Sequence, residues 1–375
     1  MMKTRILILA LCLLLALGAL PSIAEEKPDF AGLKYESSMN LIYATGYSVD
    51  YYEGGYALID VKDDARYLVV PEEMEAPQGL DADIVVLQQP IENIYLAATS
   101  SMALFDAIDS LDAIRLSALQ PSGWYIDNAV AAMERGDILF AGKYSEPDYE
   151  LLINEDCGLA IESTMIYHSP KVKEMIELLG VPVMVDRSSY ETHPLGRTEW
   201  VKLYSVLVDR EEQAAAFFNE QAAVIEELKD FENTEKTVAF FYISSDGSVN
   251  VRAPWDYIAS MIEIAGGRYA FSGYGGEEES TRSTLSLTME DFYAVAVNAD
   301  FLIYNASIDS PLESIDELLA RSDLFADFKA VREGNVWCTG KYLYQATDIV
   351  GSLITDIHHM LTGEEEGMNF IYKLD

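Results

Sequence analysis

The sequence is poor in cysteine, histidine and positive charge, and each shortage excludes something. Only three of 375 residues are cysteine, too few for a disulfide scaffold, so the chain has to be held by ordinary cores. Cys157 and Cys338 lie far apart and read as buried free thiols. Lys and Arg number 25 against 63 Asp and Glu, a net charge of −38, and the carboxylates are spread along the chain. A field of that sign repels phosphate backbones and anionic headgroups, whose binding depends on neutralisation by Lys and Arg. Nucleic acid and the membrane surface are thereby excluded as main partners. Half of the residues are hydrophobic, which argues against disorder, and the length exceeds one compact core, so two domains are expected.

Catalytic signatures are missing as well. There is no Gly-x-Ser-x-Gly elbow, no phosphate-cradling loop ending in Lys-Ser/Thr and no His-Glu-x-x-His helix. Gly273, Gly275 and Gly276 form a glycine-rich patch without a closely flanking strand and helix, which reads as a loop. The four histidines are His168, His193, His358 and His359. His358 and His359 are adjacent on one helix and project about 100° apart, unsuited to sharing an ion. A metal centre would have to gather nearly all four from distant places, so no metal site is expected. His168 and His193 follow strand-like runs, and a secreted α/β hydrolase using one of them with a carboxylate is the rival reading from another class.

Long apolar runs are confined to the start. Lys3 and Arg5 precede the mostly apolar Ile6 to Leu20, which ends in Pro21-Ser22-Ile23-Ala24 with small residues at −3 and −1, the pattern of a cleaved export signal over residues 1–24. The run is short for a membrane span, which needs about 20 apolar residues. Leu9-Ala10-Leu11-Cys12 has the outline of a lipidation box, but Leu11 stands where a small residue precedes a modified cysteine and the apolar run continues past Cys12. The expected product is periplasmic or extracellular, without a lipid anchor. Cleavage removes two cations and no carboxylate, leaving a still more acidic chain.

The remainder patterns clearly. Tyr47 to Tyr52, Tyr56 to Val61 and Arg66 to Val70 alternate around the turns Glu53-Gly54-Gly55 and Lys62-Asp63-Asp64, predicting an antiparallel meander. Short apolar runs follow (84–87, 138–140, 158–161 and 181–185), separated by helical patterns at 102–108 and 170–179, the rhythm of a largely parallel α/β sheet. Leu195 to Phe231 contains no proline and a single glycine and reads as long helix, with Asp209 and Glu212 forming a capping box for a second stretch. Beyond residue 235 strands and helices alternate again. The expected fold is α/β, with two lobes built on mostly parallel sheets (25–194 and 232–375), a helical spine (195–231) and a ligand cleft between the lobes.

Aromatics are plentiful, with 23 Tyr, 14 Phe and 4 Trp, and many fall in loops. Half-buried packing accounts for most of them, yet Tyr and Trp at strand ends also line clefts for large, partly apolar ligands. Arg252 and Arg282 lie near this group in sequence. They are isolated cations in an acidic chain, suited to carboxylate or oxyanion groups, although ordinary surface ion pairs would also use them.

Several stretches together resemble the substrate-binding proteins of ABC importers, in the class that carries ferric siderophores, haem and cobalamin. Pro194-Leu195-Gly196-Arg197-Thr198-Glu199-Trp200-Val201-Lys202 followed by Asp209-Arg210-Glu211-Glu212 is similar to that class's spine helix, and Met261-Ile262-Glu263-Ile264-Ala265-Gly266-Gly267 to its second-lobe helix end. Pro147-Asp148-Tyr149-Glu150-Leu151-Leu152 leading into Gly158-Leu159-Ala160-Ile161, and Leu287-Thr288-Met289-Glu290-Asp291-Phe292 leading into Asn298 to Ile303, resemble its paired helix-to-strand elements. The resemblance implies a monomeric, non-enzymatic carrier with no resident cofactor, holding an iron-siderophore-like chelate, or haem or cobalamin, and delivering it to a membrane permease. It implies that Glu150 and Glu290, one per lobe, dock the permease, and it places Thr99, Ser100, Ser101, Met102, Trp124, Tyr125, Tyr167, His168, Arg252, Trp255, Tyr274 and Arg282 at the ligand cleft.

Overall fold

The computed structural model describes residues 27–275, 282–364 and 366–375. The signal-like segment, Cys12 and Gly276 lie outside the described residues. The first unit is a five-stranded sheet of β1 (Tyr35–Ser38), β2 (Tyr47–Tyr52), β3 (Tyr56–Val61), β4 (Arg66–Val70) and β5 (Ile84–Gln88), ordered as in the chain. The first four strands are antiparallel, and β5 lies parallel to β4. The middle three are the predicted meander. β5 had been grouped with the α/β strands, and here it closes the meander sheet instead. Ile59, Val61, Tyr67 and Val69 join the main core from one face, while Tyr52, Tyr56, Leu58, Leu68 and Val70 form a small core on the other, as alternation in a two-sided sheet requires.

The first α/β lobe follows. Its strands are β6 (Ile94–Leu96), β7 (Ile114–Ser117), β8 (Leu139–Phe140), a short hairpin of β9 (Gly142–Lys143) and β10 (Glu146–Pro147), then β11 (Ala160–Ser163) and β12 (Val183–Asp186). The main sheet has the order β12-β11-β6-β7-β8, parallel throughout. Its helices are α1 (Met102–Ala107), α2 (Asp127–Arg135), α3 (Tyr149–Asn154) and α4 (Pro170–Leu178). The N-terminal sheet is pinned to its edge. Asp64 accepts from the Val185 amide of β12 at 3.2 Å and from the Tyr67 hydroxyl at 2.6 Å, and that hydroxyl also reaches Val183 O at 2.8 Å. An otherwise open sheet edge is thus covered.

The predicted long helix is helical along most of its length but divided into α5 (Pro194–Glu199), α6 (Val201–Val208) and α7 (Glu211–Leu228). The sharper break is Asp209, in the left-handed region at φ 54°, where its carboxylate accepts from Gln89 Nε2 at 2.9 Å. The expected capping box is not made: Arg210 takes the N-cap position and no side chain caps the helix. The helical periodicity nevertheless holds, because Trp200, Leu203, Tyr204 and Leu207 are all buried.

Two buried carboxylates tie this connector to the segment before β2. Glu199 accepts from the backbone amides of Ile42 (2.9 Å), Tyr43 (2.7 Å) and Ala44 (2.8 Å) and pairs with Lys202 at 2.7 Å. Glu191 accepts from the amides of Thr45 (3.0 Å) and Gly46 (2.8 Å) and from Trp200 Nε1 at 3.0 Å. Gly46 is required here, since a Cβ would stand 2.9 Å from Glu191 Oε1 and 3.0 Å from the Trp200 ring.

The second lobe contains β13 (Thr237–Ile243), β14 (Val249–Arg252), β15 (Arg268–Tyr269), β16 (Thr284–Leu287), β17 (Phe301–Tyr304), β18 (Val336–Thr339) and β19 (Ile371–Lys373), in the order β16-β14-β13-β17-β18-β19 with β15 also on β13. β13, β17 and β18 are parallel, and antiparallel strands flank them. Its helices are α8 (Tyr257–Ile264), α9 (Met289–Ala296), α10 (Ile315–Arg321), α11 (Lys329–Glu333) and α12 (Val350–Thr362). Phe241, Phe271, Phe292, Phe325 and Phe328 form a stacked and tilted cluster at its centre, each ring worth about 1.5–3 kcal/mol when buried. Cys157 and Cys338 are free and buried, and burial raises the Cys157 thiol pKa to about 11. Among the described residues no helix is long and apolar enough to cross a membrane.

Candidate functional site

The boundary between the lobes is closed at one end and open at the other. At the closed end, the loops after β6 and β7 meet the loop after β18. Gln345 is completely buried there. Its Oε1 accepts from the Tyr125 amide at 2.9 Å, and its Nε2 donates to Gly123 O and to the Tyr344 hydroxyl, both at 2.8 Å. The Thr347 hydroxyl donates to Ser100 O, and Thr198 donates to Thr347 O at 2.9 Å. Tyr125 and Tyr344 meet edge to face with ring centres 6.4 Å apart. A buried amide with its donors and acceptor all engaged fixes one geometry, because each unmade bond would carry a desolvation cost.

At the open end is a cavity of about 480 Å³, of the size that takes a small organic ligand. Three units wall it: Thr45, Gly46, Lys62 and Asp63 from the N-terminal sheet and the segment before it, Arg187 and 189–192 from the first lobe, and Trp255, Asp256, Tyr257, Arg282 and Ser283 from the second. Arg187, placed by the end of β12, lies at the centre of the first-lobe wall. Its guanidinium pairs with Asp63 at 3.1 Å, donates to the Tyr167 hydroxyl at 3.1 Å and sits 4.9 Å from the centre of the Tyr190 ring. On the facing wall Trp255 Nε1 donates to Arg282 O at 3.0 Å, and Ala253 donates to Ser283 O at 3.0 Å, so β14 and β16 hold both segments in place. Asp256 caps α8 by accepting from the Ile258 amide and lies 3.9 Å from Arg252. Burial raises its pKa, opposed by Arg252 and Arg197. Arg197 itself lies over the Tyr257 ring at 4.1 Å.

The residues predicted from sequence separate into three sets. Trp255 and Arg282 line the cavity, Tyr167 reaches it through Arg187, and Arg252 lies behind Asp256. Ser100 and Tyr125 stand at the closed end, next to the half-buried Thr99. Ser101, Met102 and Trp124 are buried: Met102 lies in the main core, and Trp124 donates to Ser117 Oγ at 3.0 Å. These three shape the loops from behind. Tyr274 packs edge-on against Phe271, and His168 is exposed on the helical turn after β11. Glu150 and Glu290 are exposed in the first turns of α3 and α9, following the caps Asp148 and Thr288, where the helix dipole favours a carboxylate. His193 accepts the Leu195 amide at 3.2 Å and stacks on Tyr43, a capping role. Among the described residues no group of three His, Cys, Asp or Glu side chains could hold a metal ion.

Sequence reasoning missed Lys62, Arg187 and Gln345, and it held Tyr190 and Tyr257 only among the loop aromatics that could line a cleft. Arg187 had a usable signal, since it directly follows an apolar strand, as a cleft residue at a strand end does. Lys62 had been read only as part of a turn.

No family model matches the sequence. An uncharacterized lipoprotein of Methanocaldococcus jannaschii is 24% identical over 356 residues, covering 89% of this chain and 83% of that protein. Among solved structures, the periplasmic haem-binding protein HutB of Vibrio cholerae superimposes with a TM-score of 0.58 at 15% identity, covering 72% of this chain and 98% of that one. The ABC-type Fe3+-hydroxamate transport system structure from Saccharomonospora viridis gives 0.54 at 17% identity, covering 72% and 93%. The chain therefore shares the fold of these solved proteins.

Proposed function

We propose that this protein is the exported solute-binding component of an ABC importer, which takes up an iron-siderophore-like chelate between its lobes and delivers it to a membrane permease without chemical turnover. The observation that carries this reading is the aromatic, cation-bearing interlobe cavity of about 480 Å³, in a fold whose solved examples bind haem or belong to iron-chelate transport. Haem, the cargo named for the Vibrio cholerae protein, and cobalamin are the alternatives within the same class. We divide the chain into a leader over 1–24, a first lobe over 25–194 that includes the N-terminal sheet, a connector over 195–231 and a second lobe over 232–375. The Methanocaldococcus relative is named a lipoprotein; here the apolar run continues past Cys12, which favours cleavage after Ala24 and a free monomer. Glu150 and Glu290 are the docking carboxylates, exposed on separate lobes where pairing with a cationic surface steers association.

Trp255 stands at the cavity, so tryptophan fluorescence reports binding. Titration with ferric siderophores, haem and cobalamin should give a saturable change with one of them, and no response to any would sink the proposal. In cells expressing the matching permease, Glu150→Ala combined with Glu290→Ala should abolish uptake while leaving that titration unchanged. A collapse of ligand affinity in the double variant would show that these carboxylates serve the cleft instead.

A further inference from the structure

The segment 187–191, which carries Arg187 and Tyr190 to the cavity, is anchored at both ends by buried carboxylates. At its far end Glu191 holds the Thr45 and Gly46 amides and Trp200 of the connector. Just before it stands Asp186, the last residue of β12 and only 4% exposed. One Asp186 oxygen accepts from the Ser188 amide at 2.6 Å, which leads the chain into the short helical turn Ser188–Tyr190. The other accepts from Ser100 Oγ at 3.1 Å. Ser100 is the first-lobe residue whose carbonyl accepts from Thr347 of the second lobe, and Thr347 O in turn accepts from Thr198 of α5 at 2.9 Å. A single carboxylate therefore stands between the corner where the lobes meet and the wall of the cavity.

We propose that Asp186 is a positioning residue that couples the lobe corner to the cavity wall, so that a turn of the lobes at Ser100 and Thr347 is transmitted to Arg187 and Tyr190. The two oxygens belong to one planar group, so Ser100 cannot shift without turning the carboxylate and drawing on the Ser188 amide. Bonds to an ionised acceptor are roughly twice as strong as neutral ones, and Asp186 and Ser188 are both buried, where a donor or acceptor left unmet carries a desolvation cost. At the other end Glu191 ties the segment to the connector and to the residues before β2, so a displacement entering at Asp186 has to appear within 187–190. The use of this linkage rests on the proposed carrier function: it seats the wall while the corner is at rest and loosens it when a permease turns the lobes.

Hydrogen exchange of the protein without ligand tests the coupling. The amides of Ser188, Tyr190 and Glu191 donate to Asp186 Oδ1, Arg187 O and Ser188 O and report the wall, while the Ala160 amide, which donates to Pro182 O, reports the sheet. Thr347→Val removes the corner hydroxyl, keeps Thr347 O for Thr198 and lies outside the cavity lining. It should raise exchange at the three wall amides by about fivefold, the effect of one hydrogen bond, with Ala160 unchanged. Thr347→Ser retains the hydroxyl and should exchange like the native protein. Asp186→Asn has one acceptor oxygen for two donors and should speed the wall amides by itself, and adding Thr347→Val to it should change them no further. Wall amides that keep their native rates in Thr347→Val overturn the proposal, as does a rise shared equally by Ala160, which marks general loosening of the lobe. Full additivity of the two substitutions overturns it too. Should Asp186→Asn fail to fold, the two Thr347 variants decide alone. Because the exchange is read without ligand, these failures leave the carrier function standing, and the chelate titration decides that separately.

Discussion

Replacing Glu199 with alanine should lower the free energy of unfolding by about 3–5 kcal/mol, the range for breaking a buried charged pair by removing one partner. Three backbone amides, those of Ile42, Tyr43 and Ala44, would lose their acceptor at once, together with the ion pair to Lys202. Glu199 is completely buried, so solvent is poorly placed to replace the carboxylate. Glu199→Gln keeps the shape and one acceptor oxygen and should cost clearly less. Urea unfolding of both variants, followed by tryptophan fluorescence, measures the difference. A loss below about 1 kcal/mol for the alanine variant, the size of an ordinary substitution, would mean that the 42–46 segment is held by something other than these carboxylates.

Glu162→Gln should act in the opposite direction. Glu162 is on β11, fully buried, and neither carboxylate oxygen has a hydrogen-bond partner among the described residues. On that face of the sheet its neighbours include Tyr95 and Ala160, and burial alone raises its pKa from 4.5 to about 8. Below pH 4.5 both the folded and unfolded states hold the proton. Between about 4.5 and 8 the unfolded chain releases it while the folded protein retains it, so stability falls as pH rises, and the fall ends once the folded group ionises. Each pH unit in that window is worth about 1.4 kcal/mol. Glutamine removes the titration, so at pH 7 the variant should be more stable by about 3 kcal/mol, with the advantage shrinking toward pH 4.5. Urea unfolding across pH 4 to 9 gives the comparison. A stability difference that stays constant with pH would show that Glu162 ionises normally in the folded protein.

Much of the fold was legible because local rules and tertiary packing agree. The middle strands of the N-terminal sheet follow from strict alternation and from turns at Gly54-Gly55 and Asp63, both of which adopt positive φ. The α/β rhythm of the two lobes follows from short apolar runs between helical patterns. The division of the connector was not legible, because Trp200 and the residues after Asp209 continue the helical periodicity and nothing local marks Asp209 as left-handed; its bond to Gln89 comes from a distant part of the chain. The lining of the interlobe cavity was legible only in part. Loop aromatics drew attention to Trp124, which the core absorbs, and passed over Arg187, whose importance depends on Asp63, Tyr167 and Tyr190 arriving from other elements. Gln345 is a similar case. One glutamine among tyrosines has no pattern, and its role exists only once the two lobes face one another.

The hydrogen bonds of Gln345 and Thr347 also bear on how the lobes can move. A body of two lobes joined only by a connector can pivot about it in several directions. Here the connector is one attachment and the Gln345 corner is a second, and two fixed points define a single axis. Motion that preserves both is rotation about the line between them, which widens or narrows the far edge where Lys62, Arg187 and Trp255 stand. On the proposed carrier function, cargo arrives and leaves by one door, and a permease that separates the lobes needs to turn only that hinge.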